Sequence, residues 1–245
     1  PRLRVLSKAD IADPEKTRVW KSHFSAENAG GAVLLDSRKR GEARNVPGLC
    51  KKLFPKERAD RLVTAMVIGI PNVGKSTLIN SLAGRVVART GDQPALTRDQ
   101  QFIDIDARFR LLDTPGIMWP KVDNFHSGYR LAVTGAIRDT AISHVDVATY
   151  ALMQLRALYP ERLKERYSES VVEAGGADTL IEVGRRRGCL VKGGEVDLDR
   201  AAKIVITDIR EGRLGRLTWE LPGSDSPAAD DPDNPAMVGL SAEDQ

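Results

Sequence analysis

Cysteine is nearly absent from this 245-residue sequence: Cys50 and Cys189 lie far apart and form no Cys-x-x-Cys pair. That excludes a disulfide scaffold and a cysteine-based zinc module. No apolar run approaches the roughly 20 residues that span a membrane, and no internal repeat is visible. Net charge is also small, +3 over the whole chain, but the mean hides a split. Residues 223–245 hold six acids (Asp225, Asp230, Asp231, Asp233, Glu243, Asp244) and no Lys or Arg, so residues 1–222 carry 37 bases against 28 acids, a net +9. A basic body with an acidic tail suits a polyanionic partner. With 41% hydrophobic residues the body can pack a core, and the tail is expected to be disordered. The sequence opens on Pro1 rather than Met and within ten residues is already inside a candidate motif, so a fragment of a longer protein is expected. The compartment expected for such a chain is the cytoplasm.

Along the chain, residues 3–6 form a short apolar run ended by a polar turn, the pattern of a buried strand. Asp13 followed by Pro14 opens a helix, because Asp caps free amides and Pro costs nothing at the first helical position. Val19, Trp20 and Phe24 continue it at helical spacing, and Gly30 and Gly31 end it. Residues 32–35 read as a second buried strand. Between positions 38 and 61 nine bases (Arg38, Lys39, Arg40, Arg44, Lys51, Lys52, Lys56, Arg58, Arg61) stand against three acids, either a solvated helix face or a phosphate-contacting one. Residues 62–68 read as a third strand, followed by a Gly-rich turn and a helix carrying Leu78, Ile79 and Leu82. Segments 101–106 and 109–112 read as a hairpin. Strands alternating with helices indicate an α/β layer with a parallel sheet. From 128 to about 167 the pattern is helical, and 203–209 reads as a last β-like stretch before Pro222.

The strongest chemical signal is Gly69-Ile-Pro-Asn-Val-Gly74-Lys75-Ser76, which fits the phosphate-binding loop G-x-x-x-x-G-K-[ST] between a strand and a helix. Its glycines let backbone amides converge on phosphates, the helix N-terminus adds positive potential, Lys75 reaches the β/γ-oxygens and Ser76 ligates Mg²⁺. At average glycine usage a chance match in a chain of this length is on the order of 1%. Leu111-Leu112-Asp113-Thr114-Pro115-Gly116 then sets an acid at the end of an apolar strand, suited to hold Mg²⁺ through water, and a glycine whose amide can meet a γ-phosphate. Thr97 lies between the two in a polar loop, where a hydroxyl can close over the ion when a γ-phosphate is present.

Guanine-specific enzymes of this kind read the base with Asn-Lys-x-Asp downstream of the phosphate loop. Here the candidate is Ser7-Lys8-Ala9-Asp10, upstream of it, with the Asp36-Ser37-Arg38 turn as backbone support. The order runs base, support, phosphate, switch, metal, a circular permutation. Strand-end loops can be re-cut in this way and still meet in one site. Ser7 leaves an ATPase open as an alternative.

On these motifs the chain resembles the circularly permuted GTPases and, among them, the ribosome biogenesis GTPase A family. The resemblance covers residues 1 to about 221. It is most specific in Gly69-Ile-Pro-Asn-Val-Gly-Lys-Ser-Thr77, Leu112-Asp-Thr-Pro-Gly-Ile-Met-Trp-Pro120, Arg130-Leu-Ala-Val-Thr-Gly-Ala-Ile137, Tyr159-Pro-Glu-Arg-Leu-Lys-Glu-Arg-Tyr167 and Arg187-Gly-Cys-Leu190. It implies an α/β fold: a circularly permuted P-loop GTPase domain over 1–122, a mostly helical, RNA-contacting C-terminal domain over 123–221, and an acidic tail over 222–245. It implies hydrolysis of GTP to GDP and phosphate in the late assembly of the large ribosomal subunit, with the subunit precursor and its rRNA as partners, no membrane, and a monomer off the ribosome. The implied nucleotide contacts are Lys8, Asp10, Ser37, Asn72, Val73, Gly74, Lys75, Ser76 and Thr77. The implied catalytic groups are Lys75, Thr97 and Gly116. Mg²⁺ falls to Ser76, Thr97 and Asp113, and K⁺ to Asn72.

Three departures stand out. Ser7 occupies the family's Asn position, which weakens the frame of the base pocket, and Ala95 replaces the glycine usual before the switch threonine. Relatives also carry a central strand ahead of the position of Pro1. Without it, neighbouring strands would face a gap with unpaired amides at about 1–3 kcal/mol each when buried. A chain of residues 1–245 is therefore expected to be poorly stable, and a cooperative melt above about 50 °C with full GTP affinity would contradict this.

Catalysis is expected to come from positioning and charge neutralisation. Ile117 stands where Ras-like enzymes have a water-orienting Gln, so slow intrinsic turnover stimulated by the ribosome is expected, with a GTP-gated scaffold of negligible hydrolysis as the alternative. His126 follows the metal loop most closely and is expected at the surface. In the C-terminal half, Arg185, Arg186, Arg187 and the 159–167 run offer bases and aromatics for RNA; alternatively, 159–167 is a helix packed inside its own domain. Residues 161–222 hold twelve bases and twelve acids, so any RNA contact has to come from local clustering.

Overall fold

The computed structural model describes residues 1–27, 31–36, 39–55, 61–88, 101–116, 125–137 and 142–223. Ser37, Arg38, Lys56, Arg58, Ala95, Thr97, Ile117 and the acidic tail lie outside these residues. The chain divides into two compact units, 1–121 and 122–245.

In the first unit the order is β1 (Arg4–Leu6), α1 (Pro14–Glu27), β2 (Ala32–Leu34), α2 (Arg40–Ala43), α3 (Val46–Lys52), β3 (Val63–Val67), α4 (Lys75–Ala83), β4 (Gln101–Asp106) and β5 (Phe109–Asp113). Helix α1 starts where the sequence says it should: Asp13 Oδ1 accepts from the amides of Glu15 at 2.9 Å and Lys16 at 3.1 Å, satisfying donors that have no partner in the first turn. Strands β1 and β2 pair in parallel. Strand β5 lies between β3, its parallel neighbour, and β4, its antiparallel hairpin partner. The inner face of β3, β5 and β4 buries Val63, Phe109, Leu111 and Ile103 against Ile79 of α4. Leu35, Ala43, Val46 and Leu78 form a second buried cluster.

Among the described residues the strands thus form two sheets rather than one. Between them lies a cavity of about 160 Å³, lined by Leu3 and Val5 from one side and by Ala65 and Val67 from the other, with Cys50 and Leu82 also on its wall. Burial raises the pKa of the Cys50 thiol, outweighing a backbone hydrogen bond that lowers it, so the cavity wall carries a neutral thiol.

The second unit is helical: α5 (Phe125–Val133), α6 (His144–Leu158), α7 (Pro160–Arg166), α8 (Glu169–Glu173), α9 (Asp178–Arg186) and α10 (Leu198–Arg210). Its core joins Val133, Leu152, Leu155, Leu163, Leu180, Val183 and Val205. Residues 203–209, read as β-like from their β-branched run, are helical. Ala201, Ala202, Val205, Ile206 and Ile209 are all buried, a spacing that matches one helix face. Asp197 Oδ1 caps that helix by accepting from the Arg200 amide at 3.0 Å. Packing of that stripe overrides the strand preference of Ile204, Val205 and Ile206. At Gly184 a Cβ would overlap the Val196 side chain, so glycine there lets the segment after α9 lie directly on the helix.

The 159–167 run, which contains α7, packs inside its own unit. The Tyr159 hydroxyl donates to the Thr218 carbonyl at 3.1 Å and accepts from its amide at 3.0 Å, and Leu163 is fully buried. The Tyr167 hydroxyl donates to Asp208 Oδ2 at 3.0 Å, with the Arg187 guanidinium 5.1 Å from its ring centroid.

His126 is not at the surface. It is 7% exposed, beside the rings of Phe125 and Tyr150. Burial, and secondarily the Arg130 charge, lower its pKa. The unfolded chain therefore takes up a proton near pH 6.5 that the folded chain refuses, so the stability His126 lends is present above that pH and is lost as pH falls from there through the lowered folded value. Denaturant midpoints of the wild type should fall between pH 7 and pH 5, and His126→Phe should flatten that slope. An unchanged slope would assign it to another group.

Candidate nucleotide site

Residues 69–74 connect β3 to α4. Asn72 and Gly74 take left-handed backbone, with φ of 58° and 97°, and Gly74 caps α4, its carbonyl accepting from the Leu78 amide at 2.9 Å. Ser76 and Thr77 follow in the first turn of α4, where free amides and the helix dipole favour an anion. Lys75 Nζ donates to the carbonyls of Gly69 at 2.9 Å and Ile70 at 2.8 Å, so its charge is held over the loop. Burial lowers its pKa and the Asp113 carboxylate opposes that shift, which places the two groups in electrostatic reach.

Asp113 closes β5, is fully buried, and pairs in register with Val67 at the end of β3. The Thr114 hydroxyl donates to the Val67 carbonyl at 2.6 Å, pinning the turn after β5 beside the loop. Gly116 is there because nothing larger fits: a Cβ would lie 2.9 Å from Pro71 N and 3.0 Å from its Cα and Cγ.

The base-side turn comes from the end of β1. The Ser7 hydroxyl donates to the Val73 carbonyl, across 66 positions of sequence. Lys8 takes φ of 54° and its carbonyl accepts from the Ile11 amide at 3.1 Å, so Asp10 lies in the same tight turn, half-buried, with Lys8 exposed. The Leu35 amide bonds the Leu6 carbonyl at 2.9 Å and the Ala9 amide bonds the Leu35 carbonyl at 3.4 Å, bringing in the turn after β2. In that turn the Asp36 amide donates to Glu42 Oε2 at 3.1 Å and the Asp36 carbonyl accepts from the Lys39 amide at 2.9 Å.

Of the residues read from the sequence, Lys8, Asp10, Asn72, Val73, Gly74, Lys75, Ser76, Thr77, Asp113 and Gly116 thus sit on loops that these contacts tie together. Ser37 and Thr97 lie outside the described residues. Ser7, the first residue of the Ser-Lys-Ala-Asp candidate and its departure from the family's Asn, makes a contact between that turn and the phosphate loop. A short hydroxyl at the first position of the Ser-Lys-Ala-Asp turn was the signal for it. Ser76 and Asp113 offer only oxygen donors, the set that suits Mg²⁺. Among the described residues no group of three or more His, Cys, Asp or Glu could hold a metal alone, so an ion here needs nucleotide oxygens or water as well.

A phosphate loop between β3 and α4, an acid at the end of β5 and a base-side turn that precedes both in sequence make this a circularly permuted P-loop GTPase fold with a helical C-terminal unit. Residues 64–173 match the family model described as 50S ribosome-binding GTPase. The chain is 43% identical over 233 residues to the ribosome biogenesis GTPase A of Bacillus pumilus, covering 91% of this chain and 82% of that protein. The crystal structure of GNP-bound YlqF from T. maritima superposes with a TM-score of 0.63 at 27% identity, covering 91% of this chain and 82% of that one. A GDP-bound structure of the T. maritima YlqF gives 0.64 at the same identity and 84% of that chain. The chain belongs to the ribosome biogenesis GTPase A family. No helix among the described residues is long and apolar enough to cross a membrane.

Proposed function

We propose that this protein binds and hydrolyses GTP in the cytoplasm and assists late assembly of the large ribosomal subunit, touching the precursor and its rRNA, and is a monomer when off the ribosome. The observation that carries the reading is the tie between the turn of Ser7 to Asp10 and the loop of Gly69 to Ser76, since only their union makes one nucleotide site from loops written in permuted order.

In this reading Asp10 accepts from the guanine ring N–H and amino group, with Lys8 flanking the base and the Ser37 backbone supporting it. Asn72, Val73, Gly74, Lys75, Ser76 and Thr77 hold the phosphates, and Asn72 also holds K⁺. Ser76, Asp113 and Thr97 hold Mg²⁺, which when bound neutralises charge on the phosphate oxygens. Lys75 and the amides of the loop and of Gly116 supply fixed positive potential where charge develops. No residue in this set deprotonates or orients water, and Ile117 follows Gly116 in the sequence, so turnover is slow until the ribosome supplies what is missing. That same substitution favours one second reading, a GTP-gated scaffold with negligible hydrolysis.

Multiple-turnover assays with and without large-subunit particles test both. Faster turnover on particles supports the enzyme. GTP-dependent particle binding without turnover supports the scaffold. Competition of ATP against labelled GDP, repeated with Asp10→Asn, checks base choice: the wild type should ignore ATP.

A further inference from the structure

We infer that residues 224–245, the acidic stretch that follows Gly223, dock on an arginine cluster of their own unit, around the end of α7 and the turn after α10. The inference goes beyond the function proposed above and needs neither nucleotide nor RNA. Five guanidiniums meet at the cluster. Arg166, Arg187 and Arg213 all donate to one carboxylate, that of Asp208, and Arg213 also pairs with Glu211. Arg162 stands one turn before Arg166 on α7. Its guanidinium rests on the turn after α10, where a Cβ at Gly215 would lie 2.5 Å from Arg162 Nη1. Arg216 is the next residue in that turn. Arg162 and Arg216 are both exposed, and neither has an ion pair among the described residues.

Two carboxylates therefore serve five cations. Acceptors are short even inside the cluster, since Arg187 Nε is buried with no hydrogen-bond partner. Guanidiniums held this close repel one another, and carboxylates that reach them relieve the repulsion and accept from their planar forks. The sequence supplies such carboxylates nearby. Residues 224–245 hold Asp225, Asp230, Asp231, Asp233, Glu243 and Asp244 and no Lys or Arg. The chain that leads to them is pinned beside the cluster, because the Tyr159 hydroxyl at the start of α7 bonds both backbone groups of Thr218. Only five residues separate Thr218 from Gly223. A tether this short holds the acids at about millimolar effective concentration. That turns a pairing of exposed charges, weak between separate molecules, into a mostly occupied contact.

Arginine modification by a dicarbonyl reagent, mapped by mass spectrometry on the full chain, reads the contact. The comparison is with a variant whose six acids are amides: Asp225→Asn, Asp230→Asn, Asp231→Asn, Asp233→Asn, Glu243→Gln and Asp244→Asn. At low salt Arg162 and Arg216 should react about fivefold more slowly in the wild type than in this variant. Arg200, exposed at the start of α10, should react equally in both. In about 1 M salt, where the screening length falls to about 3 Å, the two proteins should agree at every arginine. A synthetic peptide of residues 224–245, added to the variant at about 1 mM, should restore the protection. Equal rates at Arg162 and Arg216 at low salt overturn the inference. So does a protection that Arg200 shares, one that survives about 1 M salt, or a peptide without effect.

Discussion

Asp208→Ala is expected to destabilise the C-terminal unit by about 3–5 kcal/mol, the cost of stripping the counter-charge from a buried cluster. Asp208 is fully buried. Arg166 donates to both its oxygens, at 2.9 and 2.8 Å, and the Tyr167 hydroxyl, Arg187 and Arg213 add bonds of 3.0, 3.3 and 3.3 Å. One carboxylate thereby ties the end of α7, the end of α9 and the turn after α10. Arg213 is half-exposed and recovers water when the acid is lost, whereas Arg166 and Arg187 are about a quarter exposed and recover less, which favours the lower end of that range. Burial alone would raise the Asp208 pKa, but the bonds from Arg166 and Tyr167 outweigh it and hold it below the ordinary carboxylate value. A lowered folded pKa means stability that is present above about pH 4 and is lost as pH falls through the folded value. Denaturant unfolding from pH 7 down to pH 3 checks both parts: the gap between wild type and Asp208→Ala should be wide at pH 7 and should begin to narrow below about pH 4. Equal stability at pH 7 would mean that the arginines hold the helices by packing alone.

Gly116→Ala is expected to weaken GTP binding by about 10- to 100-fold while lowering the stability of the fold by less than about 2 kcal/mol. The methyl group would press on backbone atoms of Pro71, 2.9 and 3.0 Å away. Backbone cannot rotate aside as a side chain can, so either the turn after β5 or the phosphate loop must move. Both belong to the proposed nucleotide site and neither contributes a residue to the buried hydrophobic clusters, which is why affinity should suffer more than folding. Titration with a fluorescent GTP analogue beside a thermal melt separates the two effects. Affinity within about threefold of wild type would show that the loops give way without cost.

Much of the architecture was legible in the sequence wherever local chemistry and tertiary demand agreed. Asp13-Pro14 opened α1, the turn between 106 and 109 closed the hairpin of β4 and β5, and the spacing of Gly69, Gly74 and Lys75 located the loop between β3 and α4. It failed where a composition rule competed with a periodic one. Ile204, Val205 and Ile206 carry strand preference, but the buried stripe through Ala201, Val205 and Ile209 belongs to a helix. His126 was read by polarity alone, and a neutral imidazole among Phe125, Tyr129 and Tyr150 is well accommodated inside. Asp208 gave little local sign: Arg213 lies five residues after it, but its other partners lie 42, 41 and 21 residues before it in the sequence, and no pattern of spacing links an acid to arginines on other helices. Ser7 was legible as a difference from a motif, but its bond to Val73 depends on two loops folding together.

In this 245-residue chain the separation of the described strands into two sheets has a consequence for how the first unit breathes. A two-stranded sheet has little cohesion of its own in water, so β1, β2 and the turns they carry should open transiently at a lower free-energy cost than the hairpin-braced strands beside the loop of Gly69 to Ser76. In the proposed reading of the site, the half that faces the base is then also the half that opens more easily. Nucleotide captured across both halves would draw that opening into the binding equilibrium, and the closed population would rise with nucleotide concentration.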